Sequence, residues 1–219
     1  MTVAAVAFDL DYTLAVPTRS RSTLLSEATA AVGAPPLSRE DYLDAHADNL
    51  TRRTRAPIFE RLLDGREADV EAATLAAAYR ERVNDALEPV PGVESMLADL
   101  RERYRLGLLT NGPVVAQRSK LRELGWEDAF DVALVTGDLR SGKPDAAAFE
   151  ALLDALGAKP EETAFVGDDA DADVAGASDA GLRAIQVRFP DGPDPDPKAA
   201  AQVDRERMAA ELPAILETL

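Results

Sequence analysis

The chain has 219 residues, enough for one large domain or a core with a smaller satellite, and 46% of them are hydrophobic. It has no cysteine and one histidine, His46, which excludes disulfides, thiolate metal centres and histidine-rich zinc sites. A net charge of −16 disfavours nucleic acid and anionic lipid as partners. With no signal-peptide pattern and no run long enough to span a bilayer, the expectation is a cytoplasmic protein.

The first element is a short apolar run at residues 3–8, closed by Asp9-Leu10-Asp11-Tyr12-Thr13, which fits a fully buried parallel strand. Asp9 and Asp11 lie two apart, so on an extended chain they would point the same way and repel each other, a cost that a divalent cation would relieve. From there to Pro89 the spacing is helical, with no strand signal. Leu24, Leu25, Ala28, Ala31 and Val32 mark a helix ending near Gly33, and Ser38 with Asp41 opens one expected to run to Leu50. Ile58, Phe59, Leu62 and Leu63 mark a third, and Leu75, Tyr79, Val83 and Leu87 a fourth that continues to Pro89.

Pro89-Val90-Pro91-Gly92 returns the chain to a strand–helix alternation. Helical positions Val93, Met96, Leu97 and Leu100 precede a strand at 105–109, and Val114, Leu121 and Leu124 precede one at Val132–Val135. Phe149, Leu152, Leu153 and Leu156 form a helix with Pro144 expected in its first turn. A strand at 163–166, a short helix at 174–180, a last clear strand at 182–187, a stiff acidic loop at 190–197 and a helix at 206–219 complete the chain. This alternation predicts an α/β fold, a Rossmann-like parallel sheet with helices on both faces. The helical segment 16–87 is then an insert, giving a core of residues 1–15 and 88–219.

Four strand ends carry polar clusters: Asp9 and Asp11; Thr110-Asn111-Gly112; Ser141-Gly142-Lys143-Pro144; and Gly167-Asp168-Asp169 with Asp171 and Asp173. In a parallel sheet these ends share one edge and converge on one crevice. Several carboxylates without histidine or cysteine favour a hard, oxygen-ligated cation, hence Mg²⁺. A cation, a lysine and Thr/Asn donors around one point make a cradle for a phosphoryl group, an aspartate can attack it, and a second carboxylate can serve as acid and then base.

The four clusters, DLDYT, TN, Lys143 and GDDADAD in this order, resemble the four signature motifs of the haloacid dehalogenase superfamily, and the likeness extends to Pro91-Gly92 and Ala180-Gly181. The resemblance implies Asp9 as nucleophile and metal ligand, and Asp11 as acid/base with its backbone carbonyl on Mg²⁺. It implies Thr110 and Asn111 as phosphate binders and Lys143 as the cation neutralising nucleophile and phosphate. Asp168 and Asp173 would be further metal ligands, with Asp169 beside the metal and Thr13 holding the loop. Tyr12 departs from the family, which usually has glycine or a small acidic residue there. The insert matches an all-helical cap.

The activity implied is that of a Mg²⁺-dependent phosphatase acting on a small soluble phosphomonoester through an aspartyl phosphate, in a monomer or small homo-oligomer. The alternatives are a dehalogenase, against which Asp11 and the Asp168 cluster argue, a phosphomutase, or a non-catalytic binding protein on the same scaffold. Arg19, Arg21 and the run Thr51-Arg52-Arg53-Thr54-Arg55 could bind an anionic substrate, although a solvated helix face is the simpler reading. His46 is expected at the surface or in packing. With 20 arginines against four lysines (120, 143, 159 and 198), the acidic surface suits a high-salt habitat, or a GC-rich genome.

Overall fold

The apolar run near the start of the chain becomes the middle of a sheet. In the computed structural model, which describes residues 2–219, β1 (Ala5–Phe8) is fully buried along its length. Residue 1, the first of the expected core, lies outside the described residues. After β1 come β2 (Ala15–Pro17), α1 (Arg21–Val32), α2 (Arg39–Ala47), α3 (Ala56–Leu63), α4 (Ala72–Asp85) and β3 (Leu87–Pro89). Then follow α5 (Val93–Arg101), β4 (Arg105–Thr110), α6 (Val114–Glu123), β5 (Val132–Val135) and α7 (Ala146–Leu156). The chain closes with β6 (Thr163–Gly167), α8 (Gly176–Asp179), β7 (Arg183–Arg188), β8 (Ala201–Asp204) and α9 (Met208–Thr218).

Six strands form one sheet in the order β5-β4-β1-β6-β7-β8, and every pairing is parallel. From β1 the chain builds outward to β4 and β5 on one side, then returns to β6, β7 and β8 on the other. The strand order therefore reverses at β1, and a crevice opens at the carboxyl ends beside such a switch point. Alternation along β1 sends Val6 and Phe8 into one core layer with Leu106 and Leu108, and Ala5 and Ala7 into another with Phe149 and Phe165. A third cluster, with Leu24, Ile58, Phe59, Leu75 and Tyr79 among its members, is drawn from residues 24–86.

The helix ends follow sequence chemistry. Ser20 and Ser38 accept the N–H groups of Thr23 and Asp41 at 3.1 and 3.0 Å, and α1 stops at Gly33 in the left-handed region (φ 69°).

Five local expectations change. The fourth helix stops at Asp85, because residues 87–89 pair antiparallel with 15–17 in a two-stranded ribbon; three-residue strands are too short to show a period of two. The β8 strand also escapes, because with one buried residue in four it shows no apolar alternation. Helix α2 ends at Ala47 rather than Leu50. Pro144 follows a cis peptide bond and precedes the Asp145 cap, so it lies outside α7. The expected helix at 174–180 is a π-helical turn over Ala170–Ala175 followed by α8.

Candidate active site

Asp9 leaves β1 at its carboxyl end, and its backbone N–H donates to Val166 of β6 at 2.9 Å. Lys143 arrives on the loop after β5. The Asn111 side chain grips the Lys143 backbone on both sides: its Nδ2 donates to the Lys143 carbonyl at 2.8 Å, and its Oδ1 accepts the Lys143 N–H at 2.9 Å. Held this way, Lys143 Nζ donates to Asp9 Oδ1 at 2.7 Å and to Asp173 Oδ1 at 2.6 Å, fully inside the protein.

Asp173 sits in the turn after β6 and accepts the Asp169 N–H at 3.1 Å. Gly167 makes room for it, since a Cβ there would fall 2.4 Å from the Asp173 carboxyl group. Thr13 Oγ1 donates to Asp168 Oδ1 at 3.0 Å, the loop-holding part expected of it. Asp9, Asp168 and Asp173 each bring an oxygen within 4.8 Å of the others.

Burial raises all three carboxyls. Asp9 rises to about 7, restrained by Lys143 and pushed further by Asp173 and Asp11. Asp168 rises to about 8 through burial and the charges of Asp173 and Asp9. Asp173 also rises by burial, against the pull of Lys143. Burial alone would lower Lys143, but Asp173 and Asp9 outweigh it and hold the ammonium charged. One lysine against three carboxylates leaves excess negative charge among hard oxygen donors. That donor set fits a divalent cation such as Mg²⁺.

Asp11 lies in the same crevice with other partners. Arg21 Nη2 donates to its Oδ1 at 2.6 Å, while Lys120 Nζ and Gln117 Nε2 donate to its Oδ2 at 2.5 and 3.0 Å. The repulsion expected between Asp9 and Asp11 is thus met at Asp11 by two side-chain cations. Burial would raise this carboxyl, but Lys120 and Arg21 prevail and hold it well below the usual carboxylate range. Lys120 is itself lowered by burial to about 7, with Asp11 opposing. Thr110 Oγ1 accepts from the same Gln117 amide at 2.5 Å.

The helical segment closes over this arrangement. The carbonyls of Arg52 and Arg53 accept the N–H groups of Val114 and Val115 at the start of α6, at 3.1 and 2.9 Å. Leu50 O accepts from Thr136 Oγ1 at 3.2 Å. A side chain at Gly137 would meet Arg52 O at 2.6 Å, so a glycine permits the approach. Between segment and sheet lies a cavity of about 230 Å³, to which the segment contributes Arg21, Arg39, Tyr42, His46, Arg55 and Tyr79.

The sequence motifs are therefore gathered into one crevice, with Asp9, Lys143, Asp168 and Asp173 in mutual contact or close by, and Asp11 and Thr110 beside Gln117. The structure adds detail at three places. The Asn111 side-chain amide holds the Lys143 backbone. His46 is half-buried, stacked on Tyr42 at 5.8 Å, and lines the cavity. Of the Arg52–Arg55 run, Arg52 and Arg53 are exposed but Arg55 is buried. Lys120 and Gln117 were missed altogether. The available signal was that lysine is rare in this chain and that α6 starts directly after the Thr110-Asn111 cluster.

Comparison with known proteins agrees with this architecture. The family model for haloacid dehalogenase-like hydrolases matches residues 3–181. A phosphoserine phosphatase of Thermus thermophilus is 40% identical over 157 residues, covering 69% of this chain but 62% of the relative, so less than two thirds of that protein is spanned. A glyceraldehyde 3-phosphate phosphatase of Methanothermobacter thermautotrophicus is 31% identical over 194 residues, 84% of each chain. The crystal structure of a HAD phosphatase from Thermococcus onnurineus superposes with a TM-score of 0.69 at 27% identity, covering 98% of both chains.

Proposed function

Because the chain belongs to the haloacid dehalogenase-like hydrolases, we propose that it is a Mg²⁺-dependent phosphatase that hydrolyses a small phosphomonoester through an aspartyl phosphate at Asp9. The observation that carries this reading is the Asp9–Lys143–Asp173 contact beside Asp168, with Asp11 a separate, ionised carboxylate across the same cavity. The names of the two relatives, both phosphatases, support it.

In the proposed reaction an Asp9 carboxylate oxygen attacks phosphorus and the bond from phosphorus to the ester oxygen breaks. Lys143 holds Asp9 in place and offsets negative charge on the transferring group. The leaving oxygen takes a proton from Asp11, and water then attacks the phosphorus of the aspartyl phosphate while Asp11 accepts its proton. Asp9, Asp168 and Asp173, with the Asp11 carbonyl, would hold Mg²⁺, whose charge would stabilise the phosphoryl oxygens.

As arranged here, Asp11 is ionised and suited to the base half. The acid half requires its contacts with Arg21 and Lys120 to loosen. Arg21 belongs to α1, so movement of the helical segment 16–87, a cap by this reading, would release one of them. The direct test is hydrolysis of p-nitrophenyl phosphate, with turnover expected in Mg²⁺ and lost in chelator. Absence of hydrolysis across a phosphomonoester panel in Mg²⁺ would overturn the proposal.

The raised carboxyls give a second expectation. Asp9 and Asp168 bind protons in the folded state at pH values where the unfolded chain, with carboxyls near 3.8, has released them. Metal-free stability contributed by these groups therefore falls as pH rises from about 4 to about 8. A bound cation favours the charged carboxylates and removes that penalty. The gain in melting temperature on adding millimolar Mg²⁺ should be larger at about pH 8 than at about pH 6, with each kcal/mol worth about 2–4 °C in a chain of this size. A gain equal at both pH values would contradict the three-carboxylate site.

A further inference from the structure

The cavity holds two guanidinium groups that no carboxylate answers. Arg55 is 8% exposed, and its Nε and Nη1 atoms are buried with no hydrogen-bond partner. Its guanidinium carbon lies 5.1 Å over the face of Tyr79, and its charge acts on His46, Tyr42 and Lys120. Arg39 is arranged alike, 4.9 Å over Tyr42, with Nη1 buried and unpaired. His46 Nδ1 is a fourth buried polar atom without a partner. All three residues line the cavity that contains Asp9 and Lys143.

This pattern runs against the composition. The chain has 40 acidic residues, yet among the described residues none pairs with Arg39 or Arg55, whereas Arg21 in the same cavity is paired with Asp11. Burying a cation without acceptors is costly, and aromatic faces offset only part of that cost. The residues that carry these unmet donors line a space that a ligand would fill. Burial and the nearby Arg55 charge lower His46 to about 3, so its ring is neutral and adds no titratable charge.

Resting on the phosphatase reading above, we infer that Arg55 and Arg39, with His46, form a subsite for a second oxyanion on the substrate, a carboxylate or a second phosphate carried by the leaving group. A cavity of about 230 Å³ is smaller than the roughly 300–1,000 Å³ typical of drug-sized ligands, so the group joining the two anions is compact. The planar fork of arginine suits either anion.

Two matched pairs of esters test this: 3-phosphoglycerate against glycerol phosphate, and propanediol bisphosphate against propyl phosphate. The second anion should raise kcat/KM in at least one pair, and the arm that responds identifies the anion. Arg55→Gln should cut that preference by about 10- to 100-fold, the scale of hydrogen bonds to a charged group, and Arg55→Lys should restore part of it. Arg39→Gln, at a partly exposed position, should lower the same ratio and serves if the Arg55 variants fail to fold. Calorimetric binding of both pairs to the Asp9→Asn protein reads the preference without turnover. A binding preference in a chain that hydrolyses no ester would refute the phosphatase reading and keep the subsite. Equal binding and equal turnover within both pairs, unchanged by Arg55→Gln or Arg39→Gln, would overturn the inference.

Discussion

Asp9→Asn is expected to lower turnover by on the order of 10⁴–10⁶-fold, the scale seen when a covalent nucleophile is removed, while leaving the fold intact. Asparagine keeps the shape, and the backbone bond to Val166 does not involve the side chain. Lys143 keeps its contact with Asp173 at 2.6 Å. Because burial already raises Asp9 to about 7, its charged form is disfavoured in the metal-free protein. Removing that charge should cost little stability and should raise the metal-free melting temperature at about pH 8. Circular dichroism melts and steady-state rates on the same preparation check both halves. Near-normal turnover in this variant would remove Asp9 from the reaction.

Lys143→Met should act on stability and rate together. The side chain is buried between Asp9 and Asp173, and removing one partner of a buried ion pair typically costs about 3–5 kcal/mol because the remaining charge has no counterion. Here the remaining charges are carboxylates already raised toward neutrality. The loss should be larger at about pH 8 than at about pH 6, where Asp9 and Asp168 take up protons. Rate should fall by about 10²–10³-fold, as for loss of one preorganised electrostatic donor. Denaturant unfolding at the two pH values, with Lys143→Arg as a charge-preserving control, measures the first effect. A pH-independent loss would mean that Lys143 acts through packing alone.

The parts of this molecule that could be read from its sequence are those with long local signatures. The apolar run closing at Asp9, the serine caps at Ser20 and Ser38 and the glycine stops fix where most elements begin and end, and a parallel alternation gathers Asp9, Lys143, Asp168 and Asp173 at one edge. What escaped depends on contacts between residues far apart in the chain. The β2–β3 ribbon joins positions some seventy residues apart through three pairs. Arg21, Gln117 and Lys120 meet at Asp11 from α1 and α6, and no spacing rule links those helices. Arg55 differs from its neighbours Arg52 and Arg53 only in which way α3 begins, so composition could not tell a buried guanidinium from a solvated one. The part of the Asn111 side chain in holding Lys143 also escaped, because it is set by the path of the loop after β5.

The central claim, that Asp9 becomes phosphorylated, is tested most directly with Asp11→Asn and p-nitrophenyl phosphate. That leaving group departs without a proton, so loss of Asp11 should slow breakdown of the phosphoenzyme far more than its formation. Rapid mixing in Mg²⁺ should release a burst of nitrophenolate equal to the enzyme present, followed by slow turnover. Quenching during the burst and reducing with borohydride should convert the carboxyl at position 9, and no other, to the alcohol, as located by peptide mass mapping. A burst whose reduced residue is not Asp9 would contradict the account, as would linear turnover from the first cycle with no reducible carboxyl.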